Sequence, residues 1–176
     1  MKPGRSVLVL ASVLLLAPGA GAATTSHRIA LVVGANRGSA DRVPLRYAVS
    51  DAERFAAVAI DEIRKACMQQ RVQILSFDWR SLQAVQRIAP EIPTVYLSAQ
   101  QRWLDNIGAQ GAEDSPWTAG FRFRDHGSVA QMIKAAGGKF WSVYFGDLDA
   151  AKLRQAQALG LKVLVWTVNE APEMER

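Results

Sequence analysis

From Arg71 onward, apolar runs of strand length alternate with helical stretches, and this alternation is the strongest constraint on the fold. Residues 72–77, 94–97, 140–145 and 161–168 read as four strands, each rich in β-branched, leucine or aromatic side chains. Helices are expected at 79–89, 100–107, 129–136 and 150–159. Pro90, Pro93, the Gly137-Gly138 pair and Gly160 supply the stops, and Asp78, Ser128 and Asp149 stand where N-caps belong. Apolar strands joined by helical crossovers require a parallel sheet covered by helices. In such a sheet, ligands gather beyond the carboxyl ends of the strands.

The same rhythm begins upstream. Residues 29–33 read as a buried strand, 34–38 as a glycine-bearing turn, and 39–45 as a polar loop broken by Pro44. Ser50 and Glu53 make a capping-box signature for a helix over about 51–69. Its apolar positions (Phe55, Val58, Ala59, Ile63, Ala66, Cys67) recur at three- and four-residue steps. The expected fold class is therefore α/β: a partial TIM (β/α) barrel of about four βα units plus one N-terminal strand–helix unit. A complete barrel takes about 250 residues, so 176 residues imply a half-barrel, a fragment or an open α/β sheet.

Residues 1–22 stand apart. Lys2 and Arg5 precede an apolar run over 7–16, and Ala20-Gly21-Ala22 has the form of a cleavage site. This is the pattern of a secretory signal peptide, and a membrane anchor needs about 20 apolar residues. The mature chain is expected to be exported, periplasmic or secreted from a bacterium, with no stable membrane span. Without Lys2 and Arg5 the formal charge of +5 falls to +3. No Lys/Arg cluster suited to tracking phosphates is present, which argues against nucleic acid as a partner. The single cysteine, Cys67, excludes an internal disulfide and reads as a small buried hydrophobe on its helix.

Several short segments carry a resemblance in their order and spacing: Ile63-Arg-Lys65, Val72-Gln-Ile-Leu-Ser-Phe-Asp-Trp79, Ala89-Pro-Glu-Ile-Pro93, Tyr96-Leu97 and Gly160-Leu-Lys-Val-Leu-Val-Trp-Thr-Val-Asn-Glu170. From about residue 55 to the C-terminus the chain resembles the glycerophosphodiester phosphodiesterase family. The resemblance implies a TIM barrel that hydrolyses glycerophosphodiesters to an alcohol and glycerol 3-phosphate, usually with a divalent cation, Ca2+ or Mg2+. The matching segments resemble the family's fourth to seventh strands. Its catalysis relies on a His-Arg-Gly motif, a second His, carboxylate metal ligands and a phosphate-binding Lys, mainly in the first three strands. No segment of this chain matches them. His27-Arg28 is followed by Ile29, and His126 lies where the family has no catalytic residue. Catalytic residues and metal ligands are accordingly not assigned to any position.

A second resemblance covers about residues 28–55. Arg28-Ile-Ala-Leu-Val-Val-Gly-Ala-Asn-Arg-Gly38 and Val43-Pro-Leu-Arg-Tyr-Ala-Val-Ser-Asp-Ala-Glu-Arg-Phe55 resemble the opening of bacterial caspase-like peptidases. The expected division is a signal peptide at 1–22, a strand–loop–helix segment at 23–55 and a partial phosphodiesterase-type barrel at 56–176.

Three aromatic residues are the candidates for substrate lining: Phe77, Tyr144 and Trp166, each at the end of an expected strand. Asp78 and Trp79 read rather as a helix cap and a packed ring. Asp147 and Asp149 offer a weak carboxylate pair, with helix capping the simpler role for Asp149. Gly34–Gly38 reads as a plain strand–helix turn, since the Lys-Ser/Thr of a phosphate loop is absent. Trp103, Trp117, Phe121 and Phe123 flank a long loop over 108–120, read either as a lid or binding loop or as an insert. The functional expectation is a phosphodiesterase-type barrel that takes a small-molecule glycerophosphodiester and is inactive alone. The alternatives are a non-enzymatic, partner-completed half-barrel that self-associates through its open edges, and a remnant of a caspase-like cysteine peptidase.

Overall fold

The computed structural model describes residues 28–31, 48–109 and 114–170. The signal segment at 1–22, His27, the turn at 34–38 and the side chains of Ser50 and Glu53 lie outside the described residues. In chain order the elements are β1 (Arg28–Leu31), α1 (Ala48–Lys65), β2 (Val72–Ser76), α2 (Trp79–Ile88), β3 (Thr94–Ser98), β4 (Gln100–Gln101), β5 (Leu104–Asp105), α3 (Phe123–His126), α4 (Val129–Ala135), β6 (Phe140–Tyr144), α5 (Ala150–Ala158) and β7 (Lys162–Trp166).

Five strands form one sheet in the order β1-β2-β3-β6-β7, every neighbouring pair parallel. This is the sheet of a partial barrel. Its register sorts the side chains onto two faces, because laterally paired residues point the same way. On one face, Ile74, Tyr96, Trp141, Val143 and Val163 pack against Leu82 and Val85 of α2 and Met132 and Ile133 of α4. The other face carries Leu75, Val95 and Phe140 in one lateral row, and Tyr144 beside Trp166 in another. One polar knot ties the helix layer to the sheet. Gln83 and Gln86 both donate to the buried Tyr96 hydroxyl, at 2.9 and 3.1 Å, and that hydroxyl donates to the Ala136 carbonyl at 2.9 Å. Burial pushes the Tyr96 phenol above its ordinary range, and the two glutamine donors partly offset the rise.

The expected caps form. Asp78 accepts from the Arg80 backbone N–H, Ser128 from that of Gln131 and Asp149 from that of Lys152, each opening its helix. Two expectations need correction, and one element was not expected. Residues 100–107 do not form a helix; they form the antiparallel β4–β5 hairpin, Gln100 facing Asp105 and Gln101 facing Leu104. Helix α1 stops at Lys65, short of Cys67. There the chain turns left-handed (φ 53°), and the Met68 N–H reaches back to the Ile63 carbonyl. Cys67 is therefore exposed rather than buried in a helix. Finally, a short helix, α3, forms in a stretch that shows no periodicity long enough to reveal it.

Gly138 marks the tightest approach between α4 and the sheet. A Cβ there falls 2.5 Å from Ile133 Cγ2 and 2.9 Å from the Tyr96 ring. At Gly160 (φ 77°) a Cβ meets nothing within 4 Å. Gly138→Ala is expected to cost about 1–3 kcal/mol through overpacking. Gly160→Ala is expected to cost only its backbone strain, about 1 kcal/mol. Urea denaturation of the two variants checks the order, and equal costs would show that the Tyr96 ring yields.

Candidate functional site

Because every strand of the main sheet runs the same way, all the strand ends converge on one rim. Phe77 directly follows β2, Tyr144 ends β6 and Trp166 ends β7. All three lie on the sheet face opposite the helices, given the alternation along each strand. The structure brings them together. The Trp166 ring lies 5.4 Å from Phe77 (interplanar angle 80°) and 5.5 Å from Tyr144 (62°). These are edge-to-face separations, so the rings brace one another. Trp166 Nε1 donates to the Ser142 carbonyl at 3.2 Å, which fixes the indole to β6.

Trp103 joins this wall from the tip of the β4–β5 hairpin. Its ring stands 5.3 Å from Tyr144 and 6.3 Å from Trp166, both nearly perpendicular, while 62% of the residue remains exposed. Of the loop aromatics named from the sequence, Trp103 alone is recorded in contact with these rim rings. Phe121 packs on Trp79 at 6.4 Å, and Trp79 on Tyr96 at 5.0 Å, so those rings belong to the helix layer. Trp117 gives its backbone carbonyl to the Trp79 N–H. Phe123 packs against the hydrophobic core. His126 faces Phe121 at 6.1 Å.

Asn106, which the sequence pattern did not single out, closes the rim. It is fully buried. Its Oδ1 accepts from the Ala99 N–H at 2.9 Å, and its Nδ2 donates to the carbonyls of Leu97 (3.0 Å) and Phe77 (3.3 Å). One amide thus joins the ends of β2 and β3 and fixes the backbone from which Phe77 projects. The only signal was an Asn near the end of a stretch that reads as a helix, and Asn is common in loops.

The carboxylates around the rim are engaged. Asp78 is buried, caps α2 and pairs with Arg80 at 2.6 Å. Asp105 accepts from the Ile107 and Gly108 N–H groups. Asp147 accepts from the Gln100 N–H at 2.7 Å and from Gln101 Nε2 at 2.6 Å. Asp149 caps α5, and the Lys152 N–H holds its carboxyl below the usual range. No group of three or more His, Cys, Asp or Glu among the described residues is placed to hold a metal ion. The described donor set therefore does not fit a divalent cation.

A parallel β/α barrel segment with an aromatic wall at its strand ends is the class of protein defined by this fold and site. A family profile for the glycerophosphoryl diester phosphodiesterase family matches residues 38–176, and the chain belongs to that family. The match begins inside the stretch that resembled caspase-like peptidases, and β1 of that stretch pairs with β2 in the same sheet; nothing supports the peptidase resemblance. A structure assigned as a glycerophosphoryl diester phosphodiesterase of Silicibacter pomeroyi is 31% identical, with a TM-score of 0.57 over 72% of this chain and 37% of that one. A glycerophosphodiester phosphodiesterase of Parabacteroides distasonis is 14% identical (TM-score 0.55, 85% of this chain, 48% of that one). One from Agrobacterium tumefaciens is 16% identical (TM-score 0.54, 84% and 47%), and these two support the fold alone. The chain spans less than half the length of each of these three structures. No curated protein matches it.

Asn106→Leu keeps the bulk of the side chain and removes all three amide bonds. The variant is expected to lose about 1–3 kcal/mol, because the Ala99 N–H loses its side-chain acceptor in the interior, while the Leu97 carbonyl keeps the Trp79 indole N–H. Chemical denaturation measures the loss; a cost below about 0.5 kcal/mol would mean that water replaces the amide.

Proposed function

We propose that this chain forms the aromatic wall of a glycerophosphodiester-binding site, with Phe77, Tyr144 and Trp166 packing against the apolar edge of the substrate. We further propose that the chain alone does not hydrolyse the diester. The observation that carries the binding role is the meeting of Phe77 and Tyr144, from two other strand ends, on Trp166. Membership of the phosphodiesterase family supports the choice of a glycerophosphodiester as ligand. Ring faces and edges suit the carbon skeleton of a glycerol unit, while the phosphate projects away from the wall.

Support for the inactive reading is chemical. Cleaving a phosphodiester needs positive charge against the developing transition state and a proton for the leaving alkoxide. The rim carboxylates accept from N–H donors and from Arg80, and among the described residues no three of His, Cys, Asp and Glu gather to hold a Ca2+ or Mg2+ ion. His126 packs beside Phe121 instead of facing the rim rings. The expected result with glycerophosphocholine and Ca2+ or Mg2+ is no release of glycerol 3-phosphate above the uncatalysed rate. Chelator-sensitive turnover would overturn the inactive reading. In ligand-observed NMR, Trp166→Ala is expected to weaken glycerophosphocholine binding about tenfold, the equivalent of about 1.4 kcal/mol.

A second reading is a half-barrel completed by another copy of the chain. It is favoured by the sheet order, which leaves β1 and β7 as edges among the described strands, and by Val165 on β7, which is 47% exposed. Parallel edges with apolar side chains invite pairing. Size-exclusion chromatography with light scattering is expected to give a dimer on this reading; a monomer at all concentrations removes it.

A further inference from the structure

The β4–β5 hairpin does something that neither its sequence nor the three strand-end rings require: it carries Trp103 to the open side of the wall and holds it there. The hairpin is small, two residues per strand, and an isolated ribbon of that size is not stable on its own in water. Its position must come from contacts outside itself. Besides the ring contacts of Trp103, two polar anchors are present. Asn106 secures its base to β3 through the Ala99 N–H and the Leu97 carbonyl. Asp147, in the turn between β6 and α5, grips the first strand through the Gln100 N–H at 2.7 Å and Gln101 Nε2 at 2.6 Å. Both oxygens of Asp147 are used, one for each donor. The hairpin residues border an open surface pocket of about 270 Å³ that includes Trp103 in its lining.

We propose that Trp103 is a ligand-contacting, specificity-determining residue of this site, and that Asp147 is the positioning residue that latches its hairpin onto the rim. The proposal rests on the aromatic-wall reading above. Phe77, Tyr144 and Trp166 are only partly exposed and spend much of their ring surface on one another. Trp103 touches the same rings by edges and leaves most of its surface to solvent, so it offers the largest free aromatic face of the four. A ligand seated on the inner rings meets Trp103 next, at the end that projects from the barrel. That end is the alcohol substituent of the diester, so Trp103 discriminates among head groups. Indole is the strongest of the aromatic partners for an organic cation, and a quaternary ammonium head group is the class it favours.

The latch has a specific chemical signature. Asn at position 147 preserves it if the new amide accepts from the Gln100 N–H and donates to the turned Gln101 side-chain carbonyl. Ala at 147 preserves neither bond. In the full-length chain, Trp103→Ala and Asp147→Ala are each expected to weaken glycerophosphocholine binding about three- to tenfold in ligand-observed NMR. Asp147→Asn is expected to stay within about twofold of the parent. Neither Trp103→Ala nor Asp147→Ala is expected to change the affinity for glycerol 3-phosphate, which lacks the head group. Near-ultraviolet circular dichroism supplies a readout independent of ligand. The signal from the Trp103–Tyr144–Trp166 contacts is expected to fall in Asp147→Ala and return in Asp147→Asn, with far-ultraviolet spectra unchanged. An Asp147→Ala chain with parental dichroism and parental affinity overturns the latch. Equal losses for glycerophosphocholine and glycerol 3-phosphate in Trp103→Ala overturn the specificity role while leaving the wall intact. If Trp166→Ala leaves binding untouched, or the parent chain binds neither ligand, the wall reading fails and the specificity role of Trp103 fails with it.

Discussion

Parallel strand alignment is the constraint on which the rest of this structure depends. A parallel pair cannot be closed by a tight turn, so each strand must be followed by a crossover that returns the chain to the starting edge. In this chain the crossovers are α1, α2, the α3–α4 stretch and α5. The helices cover one face, and the amphipathic sorting of Ile74, Tyr96, Trp141 and Val143 toward them follows. The same alignment sends every strand end to one rim. Phe77, Tyr144 and Trp166 meet there although 89 positions separate the first from the last, since 166 − 77 = 89. No local interaction brings them together; the ladder does.

Polar groups, rather than apolar packing, decide how that rim is finished. Beyond Ser98 the chain leaves the ladder, and its backbone groups need new partners if they stay buried. Asn106 takes the Ala99 N–H and ties it to the Leu97 and Phe77 carbonyls with one side chain. Asp147 takes the Gln100 N–H and the Gln101 side-chain amide. The ring wall is a consequence, since Phe77 and Trp103 both project from backbone that these two side chains secure. Apolar burial explains why the sheet and helices adhere, but it does not select a hairpin over a helix for residues 100–107.

That distinction also explains how much of the molecule was legible in the sequence. The strands at 72–77, 94–97 and 140–145, the caps at Asp78, Ser128 and Asp149, and the stop at Gly160 are all written locally, in periodicity and in single residues with one conformational use. The gathering of Phe77, Tyr144 and Trp166 at one rim was legible too, because strand-end position alone implies it once the sheet is parallel. The hairpin was not. Its turn residues, Arg102 and Trp103, lack the Asn-Gly or Asp-Gly signature of two-residue hairpin turns. Gln, Arg and Leu in the same stretch are good helix formers. What overrides them is Asp147, over 40 positions downstream, and no pattern confined to 100–107 contains that information. The end of α1 was illegible for a related reason. Cys67 takes a left-handed turn that glycine ordinarily fills, so the usual stop signal is missing.

A rim carboxylate such as Asp147 can serve as a cation ligand or as an anchor for N–H groups. A carboxylate that coordinates a divalent cation directs its lone pairs at the metal, at little more than 2 Å. A carboxylate that receives a backbone N–H on one oxygen and an amide N–H on the other is fixed in orientation by the protein. In this chain Asp147 does the second, and the gain is the placement of Trp103. Asp78 makes the same choice on the other side of the sheet, where its oxygens go to Arg80 and to the first turn of α2. Loss of Asp78 would leave α2 without its cap, and loss of Asp147 would release the first strand of the hairpin. Asp78 and Asp147 thus shape this rim, the first by starting α2 and the second by anchoring the hairpin that carries Trp103.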